Sequence, residues 1–418
     1  MSTRDLDVKN PRTGQVDLTI EAADESVVQA LASQARAAQK AWNALGLEGR
    51  AQALLALQAA ITRHFDAIHA ALADDTGRGK IARREIEGAL ASLGGWAAQA
   101  PHLLPTAWTD GRFDPRMAHA PQWVPYALVG VISPWNFPLT LSMIDTIPAL
   151  LAGCSVIIKP SEVTPRFAAP LRAAIAEVPA LEGVLQLVLG DGATGMALIN
   201  AVDAICFTGS VATGKKVAVQ AAGRLIPSFL ELGGKDPLII TETADLDRAV
   251  TAALRGSVLS TGQACQSIER IYVARALYDD FVGRLVAAAK AARLNQPDRQ
   301  VGEIGPMIFG KQADTIATQL AAAVAKGAKI LTGGMVEHHL GGDWIAPTVV
   351  VDVDHDMALM REETFGPVMP VMAFDTVEEA IGLANDSEYG LSAAVIAGTL
   401  EEAEAIGRQI EAGAISLK

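Results

Sequence analysis

Three side chains stand out in the sequence as groups that could carry chemistry. Cys265 lies in a segment of small and polar residues, 262–267, directly before an apolar run. An accessible thiolate is a strong nucleophile, so Cys265 is a candidate nucleophile. Cys154 and Cys206 lie inside apolar runs and are expected to be core residues.

Glu231 ends another apolar run and is followed by two glycines and Lys235. A carboxylate at the end of a strand can act as a general base, and the alternative is a salt bridge with Lys235 at the rim of the sheet. Asn136 lies between Pro134 and Pro138, where its amide could stabilise an oxyanion. The alternative role for Asn136 is the cap of the following helix.

Composition excludes several classes of function. The chain has 418 residues and a net charge of −13, which argues against nucleic-acid binding because phosphate contacts need clustered cations. Its 3 scattered cysteines suit neither a disulfide network nor a cysteine metal site. Segment 1–10 lacks the apolar core of a signal peptide, and the longest apolar run, 147–158, is too short to cross a bilayer. We expect a cytoplasmic protein with no metal and no membrane partner.

The elements that must position these side chains follow from the apolar pattern. Up to about residue 100, apolar residues recur at helical spacing, and Asp24 is the expected cap of the first helix. Residues 100–124 carry four prolines and are expected to form a loop or arm. Short apolar runs then alternate with helical stretches, which predicts a doubly wound parallel sheet with its ligand at the carboxyl ends of the strands. These runs are 127–132, 155–158, 184–189, 204–207 and 226–230.

A second α/β series follows Gly233. Its expected strands are 237–240, 268–273 and 330–331, and its expected helices are 245–259, 277–294 and 313–325.

Two glycine-rich segments match nucleotide motifs incompletely. Segment 190–195 fits G-x-G-x-x-G but lacks the acidic residue expected about twenty positions later, so a tight turn is the preferred interpretation. Segment 209–215 fits most of a P-loop, but Lys216 replaces the hydroxyl that would bind magnesium. What is left of the P-loop pattern is a helix N-terminus that follows a strand, and this feature suits a cofactor pyrophosphate better than ATP.

Taken together, the motifs resemble those of the NAD(P)-dependent aldehyde dehydrogenase superfamily over nearly the whole chain. They occur in the order and spacing of that family. The matching segments are 10–14, 134–138, 159–162, 207–210, 231–235, 262–265 and 363–367.

The resemblance implies a role for each catalytic residue. Cys265 would attack the aldehyde carbon to form a thiohemiacetal, whose oxyanion Asn136 and the Cys265 backbone N–H would hold. Hydride transfer to NAD would leave a thioester, and Glu231 would activate the water that hydrolyses it.

The resemblance also implies a set of cofactor residues. Lys159 and Glu162 would grip the adenosine ribose, Ser210 and the helix starting near Gly209 would hold the pyrophosphate, and Glu363 and Phe365 would hold the nicotinamide end. The predicted cofactor set is Ile132, Pro134, Trp135, Lys159, Ser161, Glu162, Gly192, Phe207, Thr208, Gly209, Ser210, Gly214, Leu232, Gly233, Glu363 and Phe365.

The substrate wall carries a departure from the family. Many members have a lysine where this chain has Asp145, on a wall expected to comprise Phe137, Leu141, Ile144 and Asp145. A substrate carboxylate would meet a like charge there, so neutral apolar aldehydes are expected rather than succinic semialdehyde. Asp145 could instead face the interior or pair with an arginine.

For domain organisation, the resemblance implies a Rossmann-like cofactor domain in residues 1–110 and 127–233, a small oligomerisation arm at 111–126 and a catalytic domain at 234–418. Family chains continue past the strand that ends here at Lys418, and that tail contributes to subunit pairing. A homodimer or homotetramer is expected if the tail is present.

Three alternative functions stay open at this stage. A CoA-acylating aldehyde dehydrogenase or an acyl-phosphate reductase would share the cysteine but would need no water-activating base, so the complete Glu231 motif argues against both. The third hypothesis is a catalytically silent binding or structural paralogue, and the intact set of Cys265, Glu231 and Asn136 argues against it.

Overall fold

The computed structural model describes residues 4–418, so residues 1–3 of the predicted cofactor domain lie outside the described range. The chain divides into two compact units. The first comprises the residues up to Val8, Val16–Asp75 and Lys80–Glu231, and the second comprises Lys9–Gln15, Thr76–Gly79 and Leu232–Lys418.

The first unit is built around a parallel five-stranded sheet. The strands in this part of the chain, including those outside that sheet, are β1 (Arg4–Lys9), β2 (Val16–Ala22), β3 (Thr109–Asp110), β4 (Ala118–His119), β5 (Leu128–Ile132), β6 (Ser155–Lys159), β7 (Leu185–Leu187), β8 (Ala204–Thr208) and β9 (Ser228–Glu231). Its helices are α1 (Glu25–Ala44), α2 (Gly46–Arg63), α3 (Phe65–Thr76), α4 (Gly79–Leu103), α5 (Pro138–Ala152), α6 (Ala168–Ala176), α7 (Gly192–Ala201) and α8 (Val211–Gly223). The sheet order is β7-β6-β5-β8-β9, and all pairs are parallel.

This order confirms the predicted doubly wound sheet. The strands are apolar on both faces because helices cover both. Val131 and Cys206 pack into the cluster that includes α5, whereas Gly130 on the other face lies against Leu198 and Ile205. The order reverses between β5 and β8, and in such sheets the ligand crevice lies at the carboxyl ends of the strands on either side of that point.

The predicted cap of the first helix is also confirmed. The Asp24 carboxylate accepts a hydrogen bond from the backbone N–H of Val27 at 3.0 Å. The stripe Val28, Ala35 and Trp42 is buried, so the amphipathic pattern does mark the packed face.

Two expectations for the N-terminal region were wrong. Residues 4–22 form the strands β1 and β2 rather than helix, since their alternating exposed and buried positions follow the period of a strand. Helix α4 continues through Pro101 to Leu103, although residues from 100 onward were expected to be a loop or arm. Pro101 has no N–H to donate to the preceding turn, and α4 ends two residues after it, at Leu103.

The second unit contains a seven-stranded sheet and six helices within the described residues. Its strands are β10 (Asp236–Ile240), β11 (Ile268–Ala274), β12 (Lys329–Thr332), β13 (Val336–His339), β14 (Gly342–Ile345), β15 (Thr348–Val351), β16 (Val368–Phe374), β17 (Ser392–Ile396) and β18 (Ala414–Leu417). Its helices are α9 (Leu246–Val258), α10 (Tyr278–Ala291), α11 (Gly310–Ala325), α12 (Ala358–Arg361), α13 (Val377–Asn385) and α14 (Leu400–Gly407).

The large sheet has the order β12-β15-β16-β11-β10-β17-β18. Only the β12–β15 pair is antiparallel among these neighbours of the described chain. One apolar cluster contains residues of α9 and α10, and a second contains residues of α11 to α14. β11 therefore lies in the centre of a sheet that is covered on both faces.

Candidate active site

Asn136 lies in the connection from β5 to α5. Phe137 occupies the N-cap position of α5 and Pro138 begins the helix, so the alternative role of Asn136 as the helix cap is wrong. Asn136 is buried. Proline suits the first helical position because its ring fixes φ there, and the start of α5 thereby restrains the backbone next to the Asn136 amide.

The predicted substrate wall lies along one side of α5. Phe137, Leu141, Ile144 and Asp145 follow helical spacing, and Ile144 is 51% exposed. Burial raises the pKa of Asp145 to about 6, and the negative charge of Glu231 adds to that rise. Among residues 4–418, no cation contributes to the pKa of Asp145.

Lys159, at the carboxyl end of β6, joins two loops of the first unit. Its Nζ donates to the carbonyl oxygens of Pro160 at 2.9 Å and of Gly190 at 2.8 Å, and it lies 3.5 Å from the carboxylate of Glu162. Burial lowers the pKa of the Lys159 ammonium group. The Glu162 side chain is 42% exposed, so its carboxylate is available to a ligand at this edge of the sheet.

Two helices begin near this edge, and their N-termini differ in charge. Asp191 caps α7 by accepting the Ala193 N–H at 3.0 Å, and Arg4 pairs with the same carboxylate. Helix α8 is capped by the neutral hydroxyl of Ser210, which accepts the Thr213 N–H at 3.4 Å. A pyrophosphate is attracted to a helix N-terminus and repelled by a carboxylate, so α8 is the better anion site.

Gly209 precedes that cap and packs against the side chain of Phe207. A Cβ atom there would lie 2.6 Å from the ring of Phe207, so any residue other than glycine would require that ring to move. Gly190, in the other glycine-rich segment, has a φ of 152°, which agrees with the tight-turn interpretation.

Glu231 is the last residue of β9 and is exposed. It lies in register with Thr208 of β8. The alternative role as partner of Lys235 is wrong, because the fully buried Nζ of Lys235 binds the carboxylate of Glu269 at 2.8 Å.

In the second unit, Cys265 lies between α9 and β11 in an irregular segment. All three cysteines of the chain are thiols, and Cys265 is half-buried, whereas Cys154 and Cys206 are buried. Burial raises the pKa of Cys154 to about 11 and that of Cys206 to about 12. The two core cysteines are therefore poor nucleophiles, as their apolar sequence context predicts.

The segment before Cys265 adopts an unusual backbone. Ser260, Thr261 and Gly262 have φ values of 59°, 62° and 67°. Left-handed backbone at non-glycine residues is strained and is found preferentially at functional sites. A Cβ at Gly262 would lie 2.2 Å from the carbonyl oxygen of Gly366, so glycine is required there.

Gln263 makes structural contacts that the sequence did not predict. It is fully buried. Its Oε1 accepts the Ile308 N–H at 2.9 Å and its Nε2 donates to the Pro306 carbonyl at 3.1 Å. The segment 262–267 is thereby tied to a loop more than forty residues away, and the only signal in the sequence was a glutamine two residues before Cys265.

Glu363 lies against the two glycines that follow Glu231. The Gly234 N–H donates to Glu363 Oε1 at 3.2 Å, and a Cβ at Gly233 would lie 2.7 Å from both carboxylate oxygens. Burial raises the pKa of Glu363 to about 7, and the charge of Glu269 adds to the rise. A side chain at Gly233 would therefore displace the Glu363 carboxylate.

The predicted site residues divide between the two units. The first unit holds Ile132, Pro134, Trp135, Asn136, Phe137, Leu141, Ile144, Asp145, Lys159, Ser161, Glu162, Gly192, Phe207, Thr208, Gly209, Ser210, Gly214 and Glu231. The second unit holds Leu232, Gly233, Cys265, Glu363 and Phe365. Within residues 4–418, no group of three or more His, Cys, Asp or Glu residues could hold a metal ion, and no helix is long and apolar enough to cross a membrane.

The fold and these groups define a class of protein in which one chain combines a dinucleotide-binding sheet with a second unit that contains a half-buried thiol, Cys265. The family model of the aldehyde dehydrogenase family matches residues 1–417. A Mycolicibacterium smegmatis protein, provisionally named an NADP(+)-linked succinate-semialdehyde dehydrogenase, is 36% identical over 100% of this chain and 82% of its own length.

Solved structures agree with that match. A structure from Anabaena variabilis, provisionally assigned as an aldehyde dehydrogenase, is 52% identical with a TM-score of 0.97 and covers 99% of this chain and 88% of its own. The Mycobacterium tuberculosis aldehyde dehydrogenase, solved with NAD+, is 33% identical with a TM-score of 0.93, over 99% of this chain and 87% of its own. The chain belongs to the aldehyde dehydrogenase family, and it is an enzyme that oxidises an aldehyde with NAD.

The raised pKa of Glu363 predicts how its replacement changes stability. A carboxyl whose pKa is about 7 in the folded protein and near 4.5 in the unfolded chain destabilises the fold above pH 7, and this penalty fades as pH falls toward 4.5. We expect Glu363→Gln to raise the free energy of unfolding at pH 8 by about 1–3 kcal/mol and to change it little near pH 4.5. Thermal unfolding midpoints at both pH values would show this, and a lower midpoint for the variant at pH 8 would contradict the burial argument.

Proposed function

We propose that Cys265 is the nucleophile of this aldehyde dehydrogenase. The observation that carries the proposal is the contrast among the three thiols: two are buried in apolar clusters, while Cys265 is half-buried in a segment with left-handed backbone. Attack of its sulfur on the aldehyde carbon forms a C–S bond and leaves the negative charge on the former carbonyl oxygen.

That oxygen needs hydrogen-bond donors that are already in place. The Asn136 amide and the backbone N–H of Cys265 supply them in this proposal. Donors that are oriented before the reaction stabilise developing charge without reorganisation, and the proline-restrained start of α5 suits this task.

The residues present fit a dinucleotide cofactor. The N-terminus of α8 has a neutral cap and would hold the pyrophosphate, and Lys159, Ser161 and Glu162 would hold the adenosine ribose. Leu232, Gly233, Glu363 and Phe365 would hold the nicotinamide end. The cofactor supplies a hydride acceptor when it is bound.

Glu231 completes the reaction as the base. Oxidation of the substrate carbon leaves an acyl group on the sulfur of Cys265. In the proposal, Glu231 takes a proton from water as the water oxygen attacks this thioester, so that the carboxylic acid is released and the thiolate is restored. The exposed position of Glu231 at the end of β9 supports this role.

The arm at residues 111–126 and its flanks expose large apolar side chains. Phe113 is 97% exposed, and Trp108, Met117, Trp123 and Val124 are also exposed. An apolar surface of this kind is typical of a protein interface. We therefore assign it to self-association into a homodimer or homotetramer, in a reducing cytoplasm that keeps the thiols intact.

Replacement of Glu231 by Gln tests the proposed base. Acylation needs no base from Glu231, so Glu231→Gln should give a burst of NADH of about one equivalent per active site followed by a steady rate reduced at least about 100-fold. Stopped-flow absorbance measures the burst. Cys265→Ser is the matched control and should show neither burst nor turnover while binding NAD as the wild type does. A uniform slowing of Glu231→Gln without a burst would exclude this base.

Cofactor choice should follow from the charge of Glu162. Its carboxylate can accept hydrogen bonds from ribose hydroxyls but repels a 2′-phosphate. We expect kcat/KM for NAD to exceed that for NADP, with the difference reduced in Glu162→Gln. The NADP(+)-linked name of the M. smegmatis relative makes this comparison informative. A higher kcat/KM with NADP would show that Glu162 does not face the ribose.

Substrate preference should follow from Asp145. The carboxylates of Asp145 and Glu231 influence each other, and an anionic aldehyde would add a third negative charge at a cost of about 1–2 kcal/mol. Hexanal and benzaldehyde are therefore expected to be better substrates than succinic semialdehyde.

The matched variant for this prediction is Asp145→Asn. It should raise kcat/KM for succinic semialdehyde about tenfold and leave hexanal nearly unchanged. Because the pKa of Asp145 is about 6, the semialdehyde-to-hexanal ratio should also rise in the wild type as pH falls through 6. A wild-type preference for the semialdehyde at pH 8 would refute this interpretation of the wall.

A further inference from the structure

The side chain of Glu269 is a buried carboxylate in the strand that follows the nucleophile segment. Glu269 is 2% exposed and is the second residue of β11. Its Oε2 accepts the backbone N–H of Thr364 at 2.7 Å, and its Oε1 accepts the backbone N–H of Phe365 at 2.7 Å. The two oxygens of one carboxylate therefore hold two consecutive amides of the segment 363–365.

Lys235 completes this arrangement from the other side. Its Nζ donates to Glu269 Oε2 at 2.8 Å and to the Thr364 hydroxyl at 2.8 Å. That hydroxyl donates in turn to Gln319 Oε1 at 2.9 Å, and Gln312 donates to the Thr364 carbonyl at 2.7 Å. Side chains from β11 and α11 and from the glycine-rich segment before β10 thus converge on Thr364.

The backbone that Glu269 holds is one that an aromatic residue rarely adopts. Phe365 has a φ of 54°, in the left-handed region. A bulky side chain disfavours this conformation, so surrounding contacts must maintain it. The hydrogen bond from the Phe365 N–H to a charged oxygen is such a contact, because bonds to ionised acceptors are stronger than those between neutral groups.

We infer that Glu269 is a positioning residue for hydride transfer. The inference rests on the proposed function, in which Glu363 and Phe365 hold the nicotinamide end of the cofactor. Glu269 touches neither substrate nor cofactor in this account. It fixes the amides next to Glu363 and the ring of Phe365, so that the hydride donor and acceptor meet at a reactive distance.

A carboxylate suits this task better than an amide. Glutamine has one acceptor oxygen for two backbone donors, and its NH2 group would face either a backbone N–H or the Lys235 ammonium. The charge of Glu269 also compensates that of Lys235, whose own pKa is lowered by burial. Glu269→Gln therefore removes the positioning contact and leaves a buried cation without its counter-charge.

The decisive experiment uses two variants of the full chain, Glu269→Gln and the double variant Lys235→Met/Glu269→Gln. The double variant removes both charges, so its thermal midpoint should return toward that of the wild type. We expect both variants to lower the burst rate of NADH formation by about 10- to 100-fold and to show a primary isotope effect with a C1-deuterated aldehyde. Dissociation constants for ADP-ribose, which lacks the nicotinamide ring, should stay within about twofold of the wild type.

Tyr272→Phe is the matched control for lost stability. Tyr272 is also buried in β11, and its hydroxyl bonds to Arg270 and His355 rather than to the segment 363–365. This variant should lose stability without slowing the burst. A double variant with a wild-type burst rate would overturn the inference, and so would an ADP-ribose affinity that falls as much as the burst rate.

Failure of the proposed function is distinguishable from failure of this inference. Phe365→Ala and Glu363→Gln should weaken NAD binding more than ADP-ribose binding if these residues hold the nicotinamide end. If neither variant does so, the proposed cofactor role is wrong. If both do so while the double variant keeps a wild-type burst rate, only the positioning role of Glu269 is wrong.

Discussion

Lys235 and Glu269 form an ion pair that is almost completely excluded from solvent, and this pair constrains the backbone of the segment 363–365 in the second unit. A buried ion pair is tolerable only if each remaining donor and acceptor finds a partner. Here Thr364 and Phe365 supply these partners, so that β11 and the segment 363–365 are joined through polar contacts. The pair thus links Lys235, the start of β11 and the segment 363–365, which are far apart in the sequence.

The second unit also contains carboxyl groups whose charged forms are destabilised by burial. Asp236 and Glu363 each have a pKa raised to about 7, with burial as the main cause. The strained backbone of Ser260 and Thr261 adds to this cost. Such features persist where function requires a fixed arrangement, and the two apolar clusters on the faces of the large sheet supply the stability that offsets them.

Much of the fold could be predicted because it rests on local patterns. The five apolar runs of the first sheet and the cap at Asp24 are visible over a few residues, and the buried context of Cys154 and Cys206 is equally local. The contacts of Gln263 and Glu269 were missed because their partners lie 45 and 95 residues away. A charged pair inside an apolar strand, Glu269 and Arg270, was the signal that could have been followed, since buried charges require partners.

Hydrogen exchange at the amides of Thr364 and Phe365 tests the central claim most directly. The comparison is between the wild type and Lys235→Met/Glu269→Gln, by mass spectrometry of a peptide spanning 362–367, because the double variant removes the carboxylate without leaving a buried cation unpaired. We predict slow exchange of these two amides in the wild type and fast exchange in the double variant, with protection of β10 and β16 retained. Equal protection of the two amides in both proteins would contradict the claim that Glu269 holds this segment.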